Sequence, residues 1–204
     1  MTGEVSSLDR TKSLQPLEVK CTRSDCENGL HCFRQTVGMR NRGMKGPCRS
    51  CGASLVCWER IETLNLEEVD YIFESLQHEW IGHHFWHKEI DLKAVNHARR
   101  KGRVKLRTAI IKRIEKSVAS PNNPHDGRQT PFDGNAIYYG QHAVAACWRR
   151  CIEEWYGIPR DREITIDEIH FLSELVRRYV DIRLPELTED GESIPPIRLS
   201  LTQQ

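Results

Sequence analysis

Residues 48–52 have the sequence Cys48-Arg49-Ser50-Cys51-Gly52, a pattern typical of a metal-binding turn. Two cysteines separated by two residues direct their thiolates towards one point, and the glycine that follows readily adopts the left-handed backbone conformation that closes such a turn. Structural zinc sites hold the ion with four ligands in a tetrahedral arrangement. The segment therefore predicts one half of a four-ligand zinc site.

An upstream pair of cysteines supplies the other half. Four residues separate Cys21 from Cys26, and 21 residues separate this pair from the Cys-Arg-Ser-Cys-Gly segment. This arrangement resembles a zinc ribbon over residues 19–58 with one structural Zn²⁺. The predicted ligands are Cys21, Cys26, Cys48 and Cys51. Because the first pair is spaced more widely than usual, His31 and Cys32 are alternatives for its second position. Four cysteine ligands leave no open position for a substrate, which favours a structural role.

The composition bounds the class of protein. The chain has 204 residues, enough for one domain and a small added module. Residues 1–15 are polar and lack the apolar core of a secretory signal, and no window approaches 18 consecutive apolar residues. Eight cysteines without such a signal indicate a reducing compartment. We therefore expect a cytoplasmic protein with no membrane partner.

Helical periodicity dominates the chain after the zinc segment. Asn65 and Glu68 form a capping-box pattern, and Thr165 and Glu168 form another. Gly102 interrupts the basic helical region and Gly157 ends a later helix. The predicted helices begin near residues 65, 91, 103, 136 and 165, and the fourth extends to Tyr156. The fold class is therefore predicted to be mainly α, with a helical domain of about five helices and a small N-terminal β zinc ribbon.

These patterns divide the chain into four parts. Residues 1–18 are expected to be a flexible arm and residues 19–58 the zinc ribbon. Residues 59–185 are expected to form the helical domain, and residues 186–204 an extended tail.

Charge is distributed in blocks, although the net charge is only +1. Residues 92–116 contain ten Lys/Arg and one acidic residue, whereas residues 59–91 contain two and nine. Such blocks either form a polarised surface or neutralise each other in the fold. The basic side chains assigned to a nucleic-acid surface are Arg40, Arg42, Arg99, Arg100, Lys101 and Arg103. A sequence pI near 7.6 argues against a dedicated DNA-binding protein.

Four histidines are concentrated in the first predicted helix. His83 and His87 are one turn apart, which is the spacing of a metal-binding pair, and they continue the apolar stripe of that helix. We therefore predict that they point inward, where a histidine must form hydrogen bonds, bind metal or take part in chemistry. Candidate partners from the following loop are His125, Asp126 and Asp133, and a polar pocket would also contain Gln129, His142 and Cys147. The candidate catalytic residues are His83, His87, Asp126 and His142, and a second metal would accompany them.

The region after residue 119 carries long motifs. They comprise the loop Asp-Gly-Arg-Gln-Thr-Pro at 126–131, Gln-His-Ala at 141–143, and Cys-Trp-Arg-Arg-Cys at 147–151. Residues 119–184 thereby resemble a small bacterial domain family of unknown function, whose members carry DGKQTP, QHATATCCRGC and WHxIP. This chain has Trp148 in place of that family's second adjacent cysteine, and Tyr156 in place of its histidine. The resemblance implies kinship and supplies no activity.

Three classes of function follow. The first is a zinc-ribbon protein of bacterial or phage type, an accessory subunit that binds DNA, RNA or a protein partner in a nucleic-acid-related system. The alternative is a metal-assisted hydrolase or nuclease with a His/Asp pocket between helices. The third is an adaptor that docks through its acidic C-terminal helix. The chain has no GxxxxGK phosphate loop and no zinc-deaminase motif, so the question of an enzyme stays open.

Overall fold

The computed structural model describes residues 19–121 and 129–195, and this part of the chain is mainly α-helical, as predicted. The α-helices are α1 (Val37–Asn41), α2 (Trp58–Glu62), α3 (Val69–Gln77), α4 (Trp80–His87), α5 (Leu92–Val118), α6 (Ala136–Ala143), α7 (Arg149–Tyr156) and α8 (Ile166–Arg183). Within the same residues no strand forms, and the predicted β-ribbon is reduced to two isolated bridges. The predicted arm, residues 1–18, and residues 196–204 of the predicted tail lie outside the described residues.

Helix α6 lies at the centre of the helical region, where it packs against α4, α5 and α8. A Cβ at Gly140 would lie 2.9 Å from Val176 Cγ1, so the glycine allows the backbones of α6 and α8 to approach closely. An aromatic cluster joins the cysteine-rich segment, residues 19–58, to this core: the Trp58 ring lies 5.9 Å from Phe33 and 5.2 Å from Trp155. No helix among the described residues is long and apolar enough to cross a membrane.

Several predicted helix ends are confirmed. Thr165 begins α8 with both hydrogen bonds of a capping box, and Gly157 ends α7 in the left-handed conformation. Asp91 caps α5 through a hydrogen bond from Ala94 N to its side chain. Gly102 interrupts α5 with φ +66° and ψ 171°, a conformation open almost only to glycine.

The first predicted helix is not continuous. It is divided into α3 and α4 by a break at His78 and Glu79. At the break the chain pairs with the cysteine-rich segment: His31 N donates to His78 O, and Trp80 N donates to His31 O. The buried Glu79 carboxylate accepts a hydrogen bond of 3.0 Å from Trp155 Nε1. These long-range bonds interrupt the helix at His78 and Glu79, and the helical phase restarts at Trp80.

The predicted helix from residue 136 to Tyr156 is also two helices. A buried turn with φ +52° at Ala145 separates α6 from α7. Side chains satisfy its carbonyl groups, since Gln141 Nε2 donates to Ala146 O and Thr130 Oγ1 donates to Cys147 O. Local propensity favours one helix, whereas these tertiary hydrogen bonds stabilise the turn.

The segment that follows α8 lies along α5. Arg103 N and Val104 N, directly after the Gly102 break, donate to the carbonyls of Thr188 and Glu189. Glu192 N donates to Arg99 O. The described part of the C-terminal segment thus satisfies backbone groups that the break in α5 leaves without helical partners.

Candidate metal centre and pocket

Four ligand atoms converge in the cysteine-rich segment. They belong to Cys26, His31, Cys48 and Cys51, and all lie within 4.8 Å of one another. The sulfurs of Cys26 and Cys48 are 3.8 Å apart, and Cys51 Sγ is 3.4 Å from His31 Nδ1. Tetrahedral zinc with Zn–S bonds of about 2.3 Å separates two sulfurs by about 3.8 Å. The group therefore has the ligand types and spacing for one metal ion.

Two tight turns position these ligands. Asp25 and Leu30 exchange backbone hydrogen bonds across a short hairpin, which brings Cys26 and His31 to the same end. In the second turn Gly52 N donates to Cys48 O, and Gly52 has φ +79°, the left-handed conformation predicted for it. The two turns are joined because Arg49 N donates to Cys32 O.

The structure places His31, and not Cys21, with the three other ligands, which corrects the predicted ligand set. The reason is geometric. The Asp25–Leu30 hairpin reverses the direction of the chain, so His31, which directly follows the hairpin, lies beside Cys26. Cys21 precedes the hairpin and lines a different cavity. Burial raises the pKa of the Cys21 thiol to about 12.

Without a metal, the cysteines of the group differ in acidity. Burial opposes ionisation of Cys48, but hydrogen bonds from the backbone of Cys32, Cys51 and Ser50 and from the His31 side chain outweigh it and lower the pKa of Cys48 to about 6. Partial burial and hydrogen bonds with the neighbouring cysteines raise the pKa of Cys26 to about 11. A metal that binds all three thiolates must therefore displace protons, so its affinity depends on pH.

The predicted inward pair His83 and His87 lies on the outer side of α4. His83 is half-buried and His87 exposed, and their rings stack with centroids 4.0 Å apart. The buried face of α4 carries Phe85 and Trp86 instead. The prediction failed because it carried the periodicity of α3 through the break at Glu79. Among the described residues, the two histidines belong to no metal-binding group.

His142 is buried and firmly oriented, whereas Asp126 lies outside the described residues. The His142 ring lies between Phe85 and Phe132, with centroids at 4.6 and 4.8 Å. Its Nε2 is 3.3 Å from Thr130 O and 3.2 Å from Pro131 O. Because carbonyl oxygens only accept, Nε2 carries the proton and donates to them. Burial lowers the pKa of His142 to about 4, so the ring is neutral at pH 7.

A cavity of about 550 Å³ lies beside His142. Its lining includes Gln129, Phe132, Cys147 and Trp148 from the helical region, together with Cys21 and Arg34 from the cysteine-rich segment. Buried Arg34 forms an ion pair of 3.3 Å with Glu154. This volume lies within the range of small-molecule sites. Gln129, His142 and Cys147 had been predicted to share a pocket, whereas Arg34 was missed as a wall residue, because only the folded chain brings the cysteine-rich segment to this cavity.

Most of the predicted basic surface on α5 contacts the C-terminal segment. Arg99 forms an ion pair with Glu192, and Arg100 donates to the carbonyls of Ile194 and Pro195. Arg103 donates to Leu187 O and forms an ion pair with Asp181. Lys101 is half-buried.

Of the two remaining basic positions, one lies on α1 and the other directly follows it. Arg40 and Arg42 are exposed, and neither forms an ion pair with another described residue.

The family model described as a domain of unknown function, DUF4186, matches residues 70–181. The chain belongs to this family. The match confirms the kinship predicted for residues 119–184 and extends it to residue 70. The metal-binding group precedes the matched range, whereas His142 and Gln129 lie inside it. No solved structure matches the chain.

Proposed function

We propose that this member of the family is a zinc protein that serves as an accessory subunit and binds nucleic acid through the basic side of its cysteine-rich segment. The metal would be one structural Zn²⁺, since three cysteines and one histidine form a set that zinc prefers. All four ligands are protein side chains, which leaves no open position for a substrate and favours a structural role.

The observation that carries the nucleic-acid part is the contrast between the two groups of basic residues. On α5, Arg99 and Arg103 are paired with acidic residues of the same chain. Arg40 on α1 and Arg42 directly after it are exposed and have no such pair among the described residues. Cationic side chains that neutralise phosphates release the counterions of the nucleic acid, which favours binding. Arg40 and Arg42 are the better candidates, because their charges are not already paired with described acidic residues.

The hydrolase alternative has less support. It required His83, His87, Asp126 and His142 to share a metal, and the first two lie on the outer side of α4. No second metal-binding group occurs in residues 19–121 or 129–195.

The test uses the full-length, zinc-loaded protein and a fluorescent single-stranded oligonucleotide. Anisotropy titrations over a range of salt concentrations should show an affinity that falls steeply with salt. Arg40→Gln combined with Arg42→Gln should reduce the magnitude of the salt slope by about 1.4, at about 0.7 for each lost phosphate contact.

The matched control is Lys105→Gln combined with Lys112→Gln, which removes the same charge from exposed positions of α5. An equal effect of both double variants would show that net charge alone matters and would overturn the α1 surface. No binding at low salt would overturn nucleic-acid binding and favour the adaptor.

A further inference from the structure

Two histidines on the outer side of α4 form a close pair that takes no part in the zinc centre. His83 and His87 are one helical turn apart, and their rings lie with centroids 4.0 Å apart and planes 28° from parallel. His87 is exposed and His83 is half-buried, so a hydrated ion can reach both rings. Two histidines at this spacing on one face of a helix can bind the same metal ion.

A hydrogen bond of the His87 ring determines which of its nitrogens is available. His87 Nδ1 lies 2.8 Å from His83 O, and because a carbonyl oxygen only accepts, Nδ1 carries the proton and donates. In the neutral ring, Nε2 is then unprotonated and offers its lone pair. Metal-binding histidines almost always donate their other ring N–H to a carboxylate, a backbone carbonyl or water, which orients the ring. His87 already has this arrangement.

The surroundings of the pair favour a cation. Within the part of the chain that the structure describes, no hydrogen bond occupies a ring nitrogen of His83, so an ion can bind there without displacing a partner. Lys88 directly follows the pair, but its Nζ lies 5.7 Å from the ring centroid of Phe85 and 5.3 Å from that of Tyr139. Its charge is therefore directed towards the buried side of α4, away from the two histidines.

The donor set indicates the class of ion. Imidazole suits zinc, copper, nickel and iron, whereas magnesium and calcium prefer oxygen ligands. No third histidine, cysteine or carboxylate of residues 19–121 or 129–195 lies close enough to complete a group with the pair. Two protein ligands are therefore available from these residues, and water or an external ligand completes the coordination. The four protein ligands of the zinc centre leave no such open position.

We infer that His83 and His87 form a second metal site, which binds one divalent transition-metal ion through Nε2 of His87 and a ring nitrogen of His83. The ion keeps open positions for water or an external ligand, so it exchanges more readily than the structural zinc. The inference goes beyond the proposed function and does not depend on it, because the site lies on α4 and not on the basic side of the cysteine-rich segment.

The experiment is calorimetric titration of the full-length, zinc-loaded protein with NiCl₂ at about pH 7.5, where an ordinary histidine is mainly neutral. Nickel is the probe because Cu²⁺ oxidises thiols. Wild type should bind one Ni²⁺ per chain and retain its zinc. His83→Asn and His87→Asn should each weaken this binding at least about tenfold, since even the loss of a group that only orients a metal ligand costs about 10–100-fold.

Two controls separate the pair from the number of histidines. His170→Asn removes an exposed histidine of α8 and should leave the nickel affinity unchanged. His87→Asn combined with Glu89→His keeps the total of nine histidines but places one of them beyond the end of α4. This double variant should bind nickel as weakly as His87→Asn alone. Circular dichroism controls for folding, and if half-buried His83→Asn fails to fold, the exposed position of His87 decides.

Four outcomes would overturn the inference. They are the absence of nickel binding in wild type, unchanged affinity in folded His87→Asn, wild-type affinity in the double variant with Glu89→His, and a loss in His170→Asn as large as that in His87→Asn. Mass spectrometry follows the zinc: its release in proportion to the nickel bound would place the ion in the four-ligand centre and would also overturn the inference. Paramagnetic Ni²⁺ below one equivalent should broaden the imidazole NMR signals of His83 and His87 first, and equal broadening of His170 would contradict the site.

Discussion

The metal centre takes its four ligands from residues 26–51, whereas the cavity beside His142 draws its walls from positions more than 100 residues apart. In the metal centre, two short turns bring the ligands together, and their side chains face one another. In the cavity, side chains of the cysteine-rich segment meet side chains of the helical region. The first arrangement is typical of a site that stabilises a fold, whereas the second depends on how two distant parts of the chain pack together.

This difference predicts how a substitution in each region should affect metal binding and stability. A ligand of the metal centre should control the stability of the cysteine-rich segment, because structural zinc contributes directly to folding. The residues that line the cavity take no part in the group of metal ligands, so their replacement should leave the metal bound and should have a smaller effect on stability. The following variants test this separation.

Replacement of a metal ligand should have the largest effect. Cys48→Ser removes a buried ligand from the group of four and should abolish stoichiometric zinc binding. The free energy of unfolding should fall by about 4–5 kcal/mol or more, as expected when a structural metal is lost. Zinc content by mass spectrometry and chemical denaturation provide the measurement.

Cys57→Ser is the control for that variant. Cys57 is exposed, its Sγ donates to Glu59 Oε2, and it is absent from the group of four ligand atoms, so its replacement should leave both zinc content and stability unchanged. Full zinc occupancy in Cys48→Ser would show that the metal centre has been wrongly assigned.

The sequence predicted those features whose cause is local. Gly52 closes its turn and Thr165 begins its helix as expected, because only a few neighbouring residues determine each feature. The choice of His31 over Cys21 was not predictable, since it depends on how the hairpin at Asp25 folds back.

The two helix breaks were missed for a related reason. Both depend on partners far along the chain: His31 pairs with the backbone around Glu79, and Thr130 bonds to the turn at Cys147. The sequence motif around His142 pointed to the region of the cavity. The partnerless atoms of Gln129 could be recognised only in the folded chain.

The titration of His142 should have an intermediate effect on stability. Because His142 lies beside the cavity and is not a metal ligand, its contribution can be separated from that of the metal centre. Burial lowers the pKa of His142 from its usual 6.5 to about 4, so the folded state favours the neutral ring. This contribution is fully present above pH 6.5 and is lost as the pH falls through 4. The loss should amount to roughly 3 kcal/mol for a shift of this size.

The measurement compares wild type with His142→Phe, whose flat ring suits the space between Phe85 and Phe132 and cannot titrate. Metal ligands titrate in both proteins, so the difference between the two stability curves isolates His142. The difference should change between pH 6.5 and 4 and be constant above pH 7. Parallel curves across the whole range would contradict a buried neutral imidazole.

Cys21→Ser should have the smallest effect on zinc content and stability. It tests whether Cys21 belongs to the metal centre or to the cavity. Cys21 belongs to the first cysteine pair in the sequence, yet its side chain lines the cavity and is absent from the group of four ligand atoms. We therefore expect one zinc per chain, as in wild type, and a stability change of about 1 kcal/mol or less, because serine replaces a half-buried thiol of similar size. His31→Ala in the same assay should lose the metal. If Cys21→Ser loses zinc and His31→Ala retains it, the ligand set is the four cysteines, and the cysteine-rich segment folds as a zinc ribbon with a different first turn.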